Sequence, residues 1–141
     1  MNRRFAGWRS LPEEKPTLAA AWSVATAAAV GSLYYDTVLA LDPCRLCWFQ
    51  RVVMYPLVVV LGVATLWRVS VAWFALPLSA FGAGLAAYHS WLQVVSGDSC
   101  TVAGCGTVQY RTLGLTIPNQ ALVAFLLIGL AVGHVALRRR R

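Results

Sequence analysis

The chain alternates between long apolar runs and short polar breaks. Four runs stand out: Leu18 to Leu41, Trp48 to Trp67, Val71 to Val95 and Ile117 to Leu137. Each is close to the roughly 20 residues an α-helix needs to cross the hydrocarbon of a bilayer. The pattern predicts an all-α membrane protein, a bundle of four transmembrane helices. The first run is alanine-rich and the weakest. Its Val38-Leu39-Ala40 resembles a small-residue cleavage site, but the run exceeds the roughly 7–15 apolar residues of a signal peptide and reads as a retained helix. The stretch Trp67-Arg68-Val69-Ser70 is so short that the second and third runs form an antiparallel hairpin. Ser96 to Thr116 is polar, carries Gly97, Asp98, Gly104, Gly106 and Gly114, and reads as the one substantial loop.

Composition agrees with this pattern. Of 141 residues, 59% are hydrophobic and only 12% charged, against about 25% charged in an ordinary soluble domain. Four spans take about 80 residues and leave room for ends and loops, whereas six would leave almost none. Four cysteines are too few for a disulfide-dense scaffold of this length.

The net charge of +7 changes the picture through its placement. Arg3, Arg4, Arg9 and Lys15 precede the first run, Arg68 lies between the second and third, and Arg138 to Arg141 follow the last. Only Arg45, Arg51 and Arg111 fall on the other side. Basic residues gather on the cytoplasmic side of membrane proteins, so both termini are predicted cytoplasmic. The expected division is a basic N-terminus over 1–17, a four-helix transmembrane domain over 18–137 and a basic tail over 138–141. No nucleic-acid recognition module accompanies the charge. With this orientation Cys44, Cys47, Cys100 and Cys105 all lie on the extracytoplasmic side, where disulfides persist.

Ala25 and Ala29, Gly82 and Ala86, and Gly129 and Gly133 have the small-xxx-small spacing that lets helices approach closely. Packing within one chain is the simpler reading; Gly129 to Gly133 also matches a dimerisation pattern.

Candidate chemistry concentrates in Asp42-Pro43-Cys44-Arg45-Leu46-Cys47-Trp48-Phe49-Gln50-Arg51. Asp42 suits an N-cap and Pro43 the first helical position. Both cysteines then sit near the positive end of a helix dipole. A helix N-terminus and a nearby cation favour thiolate, the reactive form. Arg51 is four residues after Cys47 and shares its helix face. It lies about 12 Å along the axis from Pro43. An arginine at that depth either snorkels to the headgroups or serves a function, as a cation beside Cys47 and an electron-accepting ligand. His89 is about 9 Å from the outer end of the third run, close to the level of Arg51. Two such groups at one level could hold the two ends of a flat polar head group, although a lone helix histidine is more often a satisfied core residue.

Cys100 and Cys105 are separated by four residues in a glycine-containing segment that permits a small disulfide loop. Such a loop is either a structural staple or a labile, exchanging disulfide. A zinc site built from all four cysteines is the weaker reading. Neither histidine lies in the loops with them, and the first pair opens an apolar helix. No metal is expected.

Together these residues resemble the DsbB/BdbC family of membrane disulfide-forming proteins. The match consists of Cys44-x-x-Cys47 opening a span, Arg51 four residues on, His89-Ser90-Trp91-Leu92-Gln93 near the end of the third run, and a second cysteine pair before the fourth. It covers roughly Leu18 to Leu137. The close spacing of Cys100 and Cys105, and Thr116-Ile117-Pro118, look more like the BdbC branch. The resemblance implies a thiol:quinone oxidoreductase in the cell membrane. Such an enzyme would reoxidise an extracytoplasmic DsbA/BdbD-like thioredoxin-fold oxidase and pass electrons to a quinone, either ubiquinone or menaquinone. By position, it implies Cys47 as the quinone-proximal cysteine and Cys44 as its exchange partner. It implies Arg51 and His89 as quinone-binding residues, and Cys100 and Cys105 as the pair that exchanges with the partner oxidase. The alternatives are a vitamin K epoxide reductase-like protein, in which the CxxC is expected in the last span, and a non-enzymatic four-span assembly protein.

Overall fold

The structure, a computed structural model, describes residues 14–67, 71–95, 108 and 110–141. The second cysteine pair, Cys100 and Cys105, lies outside the described residues, as do Arg68 and most of the expected long loop. Four long helices run in chain order: α1 (Lys15–Thr37), α2 (Arg45–Trp67), α3 (Ala72–Val95) and α4 (Ile117–Arg140). A two-stranded antiparallel hairpin, β1 (Arg111–Thr112) and β2 (Leu115–Thr116), precedes α4. Each helix packs on its neighbours in chain order, and α4 closes the ring against α1. Side-chain contacts set the directions. Arg139 at the end of α4 meets Glu14 at the start of α1, and Tyr35 near the end of α1 meets Gln120 at the start of α4.

Three helices, α1, α2 and α4, are long and apolar enough to cross a membrane. The third, α3, is just as long and carries no charged residue. Its Trp73, Ser79, Tyr88, His89, Ser90, Trp91 and Gln93 lower its hydropathy.

The distribution of side chains is that of a chain immersed in lipid. Outward positions carry Val30, Leu33, Val52, Val59, Phe74, Phe81 and Leu130, far more apolar surface than a soluble monomer exposes. Trp67 and Trp73 are exposed at one end, and Tyr34, Trp48, Tyr88 and Trp91 at the other, as in the aromatic belts of membrane proteins. The interior is filled by small and medium side chains. Ala21, Ala25, Leu57, Leu61, Ala75, Ala86, Phe125 and Ile128 form its centre.

The small-residue spacings serve packing inside the chain. Ala25 and Ala29 are buried. A methyl group on Gly82 would overlap the Phe125 ring of α4, and one on Gly129 would come within 3.3 Å of Ser79 Oγ.

Two boundaries differ from expectation. The first helix ends at Thr37 instead of Leu41, because the chain turns there. Ala40 takes a left-handed φ of +50°, and Leu41 N–H donates back to Tyr35 O at 3.1 Å. The second helix starts at Arg45. Trp48 N–H donates to Cys44 O at 3.2 Å, which places Cys44 at the N-cap. Asp42 and Pro43, good capping residues in isolation, belong to the preceding connector.

Candidate active site

With Cys44 at the N-cap, Cys47 is the third helical residue. The spacing brings both side chains to the same end of α2, the positive end of its dipole. Their Sγ atoms lie 3.4 Å apart, within a small side-chain rotation of the about 2.05 Å of a disulfide. Both residues are half-buried.

The two sulfurs have different surroundings. Cys44 Sγ is 3.6 Å from His89 Nε2 on α3. His89 is 2% exposed, and its Nδ1 is 3.3 Å from the side-chain nitrogen of Gln50, also buried. Cys47 instead lines a cavity of about 150 Å³ between α1, α2 and α4. The walls are mostly apolar, from Ala28, Met54 and Phe125 among others. A few polar groups converge on the cavity: Gln50, Arg51, Tyr35 and Gln120. A mostly apolar hollow with a few placed polar groups is the usual form of a small-molecule site. An apolar cavity of this volume accepts a single six-membered ring.

Arg51 does not snorkel. It is 7% exposed and turns toward α1. Its Nε donates to Ser32 Oγ at 2.6 Å, its Nη2 to Ser32 O at 2.9 Å, and its Nη1 to Asp36 Oδ2 at 3.0 Å. The guanidinium lies 5.5 Å from the Trp48 ring centroid, a cation–π distance. A cation buried among apolar helices requires such partners. A guanidinium has five N–H donors, and among the described residues these bonds use three. Among the described residues these bonds leave one N–H on each terminal nitrogen unused.

The expected pairing of Arg51 with His89 across a head group is not what the structure shows. Arg51 lines the cavity and His89 does not; His89 stands beside Cys44. The two residues project from α2 and α3 into different surroundings.

Two cavity-lining residues, Tyr35 and Gln120, belong to a polar tie. Tyr35 OH donates to Gln120 Oε1 at 3.0 Å and lies 3.0 Å from Thr112 Oγ1 on β1. Gln120 Nε2 donates to Leu115 O at 3.3 Å, and the Tyr35 and Tyr110 rings are 5.8 Å apart. The hairpin is thereby fastened over α1 and α4.

Sequence reasoning missed Ser32, Asp36, Gln50, Tyr35 and Gln120. A signal existed for the first two. Ser32 and Asp36 are polar residues four apart on one face of an otherwise apolar helix, and such residues in a span point inward to a partner.

Comparison with known proteins agrees with this geometry. A family model described as "Disulfide bond formation protein DsbB" matches residues 14–135. The chain is 37% identical over 123 residues to "Probable disulfide formation protein C 1" of Bacillus anthracis, covering 82% of this chain and 88% of that one. It is 42% identical over 118 residues to "Disulfide bond formation protein C" of Bacillus subtilis, covering 79% and 86%. A "Probable disulfide formation protein" of Deinococcus radiodurans is 42% identical over 123 residues, covering 77% and 80%. No solved structure matches significantly. The relatives named protein C agree with the branch suggested by the sequence. This chain belongs to the DsbB family of disulfide bond formation proteins, and is a membrane protein that forms disulfides.

Proposed function

We propose that the chain is a thiol:quinone oxidoreductase with four membrane spans and both termini in the cytoplasm. It reoxidises an extracytoplasmic thioredoxin-fold oxidase at the Cys44–Cys47 end. The observation that carries this reading is the division of labour at the CxxC: Cys47 and Arg51 line one cavity, while Cys44 faces away from it, toward His89.

Thiol–disulfide exchange needs one sulfur open to attack and one able to leave. Cys44, at the N-cap and outside the cavity, is the exchange sulfur. It receives electrons from the Cys100 and Cys105 pair, which exchanges first with the partner oxidase. Cys47 is the sulfur released on the cavity side, near the N–H groups of the helix end. A quinone, when bound, supplies the two-electron, two-proton acceptor for the Cys44 and Cys47 thiols. The residues present fit its head group. Apolar walls would face the ring, and the remaining N–H donors of Arg51, with the side-chain amides of Gln50 and Gln120, would meet carbonyl oxygens. Ser32 and Asp36 hold Arg51 in place. The proposed part of His89 lies on the other side, holding and orienting Cys44.

The test is quinone loss by detergent-solubilised protein supplied with a reduced thioredoxin-fold oxidase and with ubiquinone or menaquinone analogues in parallel. Wild type should consume quinone and Cys47→Ser should not. Retained turnover in Cys47→Ser would overturn the assignment.

A further inference from the structure

The same end of α2 carries a second capability. Cys44, Cys47 and His89 each offer one ligand atom, and these atoms lie within 4.8 Å of one another. We propose that the dithiol form of the protein binds a divalent cation of the zinc type through Cys44 Sγ, Cys47 Sγ and His89 Nε2. Binding would lock the pair out of redox exchange.

The geometry is close to what such an ion needs. Tetrahedral zinc with Zn–S of about 2.3 Å and Zn–N of about 2.0–2.1 Å places two sulfurs about 3.8 Å apart and sulfur about 3.5 Å from nitrogen. The corresponding separations are 3.4 Å between Cys44 and Cys47 and 3.6 Å between Cys44 and His89. For these two pairs, shifts of a few tenths of an ångström reach the ideal figure; Cys47 Sγ and the His89 ring nitrogen, within 4.8 Å of each other, close by up to about 1.3 Å through side-chain rotation.

The support behind the ligands is also present. A metal-bound histidine needs its other ring nitrogen held by a partner. Gln50 stands 3.3 Å from His89 Nδ1. Rotating its amide by half a turn presents the carbonyl oxygen to an Nδ1–H, leaving the Nε2 lone pair directed at the cysteines. Both residues are buried, so this arrangement is shielded from water. Two thiolates and an imidazole suit zinc or cadmium and disfavour magnesium or calcium. Three protein ligands leave a fourth position for water.

The step balances without a redox change. The cation displaces one proton from each thiol, and both protons pass to solvent. The metal thiolates hold the two electrons that disulfide formation would release, and they stay held until the ion is removed. The proposal rests on the pair opening to a dithiol; it does not depend on the identity of the electron acceptor.

The experiment uses the full chain with Cys100→Ser and Cys105→Ser, reduced with a phosphine and titrated anaerobically with cobalt(II) in detergent. One cobalt per chain should bind, with the sulfur-to-cobalt charge-transfer band and visible bands of a tetrahedral site. Zinc should bleach both, and the oxidised protein should show neither. Zinc-loaded protein should resist oxidation by a dipyridyl disulfide until a chelator is added. His89→Ala should weaken binding at least tenfold and alter the visible bands. Gln50→Leu should weaken it about tenfold, the lower end for loss of a partner behind a ligand, with helix content checked by circular dichroism. Absence of the charge-transfer band in the reduced protein would overturn the proposal. Unchanged affinity in both His89→Ala and Gln50→Leu would do the same. No quinone or partner oxidase is present, so failure here leaves the quinone reading standing, and failure of that reading leaves this result intact.

Discussion

Two partly buried arginine–carboxylate pairs join α1 to its neighbours, one at each end of the molecule. At the end away from the cysteines, Arg139 grips Glu14 in a fork. Its Nε donates to both carboxylate oxygens at 3.0 and 2.9 Å, and its Nη2 to Oε2 at 2.7 Å. The side chains are 16% and 2% exposed. At the cysteine end, Arg51 gives Asp36 a single bond, and the Asp36 side chain is 32% exposed. The first pair ties the start of α1 to the end of α4 and faces no cavity among those described. The second is open. Asp36 and Ser32 fix the guanidinium while part of it still faces the cavity that Cys47 lines. The same pair of residue types thus makes a clamp at one end and a poised cation at the other. The difference lies in what each guanidinium faces: Arg51 lines the cavity and Arg139 does not.

The comparison can be broken most forcefully at the clamp. Arg139→Ala should cost about 3–5 kcal/mol, the range for breaking a buried pair and leaving one charge uncompensated. It should appear as a large fall in the unfolding midpoint in detergent, with quinone turnover per folded molecule unchanged. Arg51→Ala should do the reverse. Quinone-linked kcat/KM should fall about 10–100-fold, or about 1.4–2.7 kcal/mol, the scale of losing charged hydrogen bonds. Partner-to-Cys44 exchange, followed by trapping the mixed disulfide, should persist. Equal quinone kinetics in Arg51→Ala and wild type would make Arg51 a second clamp.

Smaller effects sharpen the packing side. Gly82→Ala inserts a methyl group into the Phe125 ring space and should destabilise by about 1–3 kcal/mol through overpacking, read as a lower unfolding midpoint. Phe125 also lines the cavity, so quinone KM should rise with it. Ala40→Gly should be mildly stabilising. The left-handed conformation costs a non-glycine residue about 1–2 kcal/mol, partly offset by the added freedom of glycine in the unfolded chain. A net gain of about 0.5–1 kcal/mol should appear as a slightly higher midpoint.

Sequence alone went far with the helices and the cysteines. The apolar runs located all four helices to within a few residues, because a lipid-facing helix cannot hide its composition. The errors fell where backbone turns decide. Asp42 and Pro43 have the right capping chemistry, yet the turn at Ala40 delays the helix until Cys44 is the cap. The site was half legible. Residue spacing gives a side chain's height along a helix, so Arg51 and His89 were placed at one level. It does not give the rotation of one helix against another, so the contacts of His89 with Cys44 and of Arg51 with Ser32 and Asp36 were not legible. Tyr35 and Gln120 were invisible for a related reason. They lie 85 residues apart in the chain, and only closure of α4 against α1 brings them together.

The central claim is that the electron acceptor occupies the cavity that Cys47 and Arg51 line. Photoaffinity labelling with an azido-quinone, followed by peptide mapping of the labelled chain, tests it directly. Label should fall on 27–35 of α1, 47–55 of α2 and 117–125 of α4, compete with unmodified quinone, and drop sharply in Arg51→Ala. Competable label concentrated on 85–95 of α3, around His89, would contradict the account and move the acceptor to the Cys44 side.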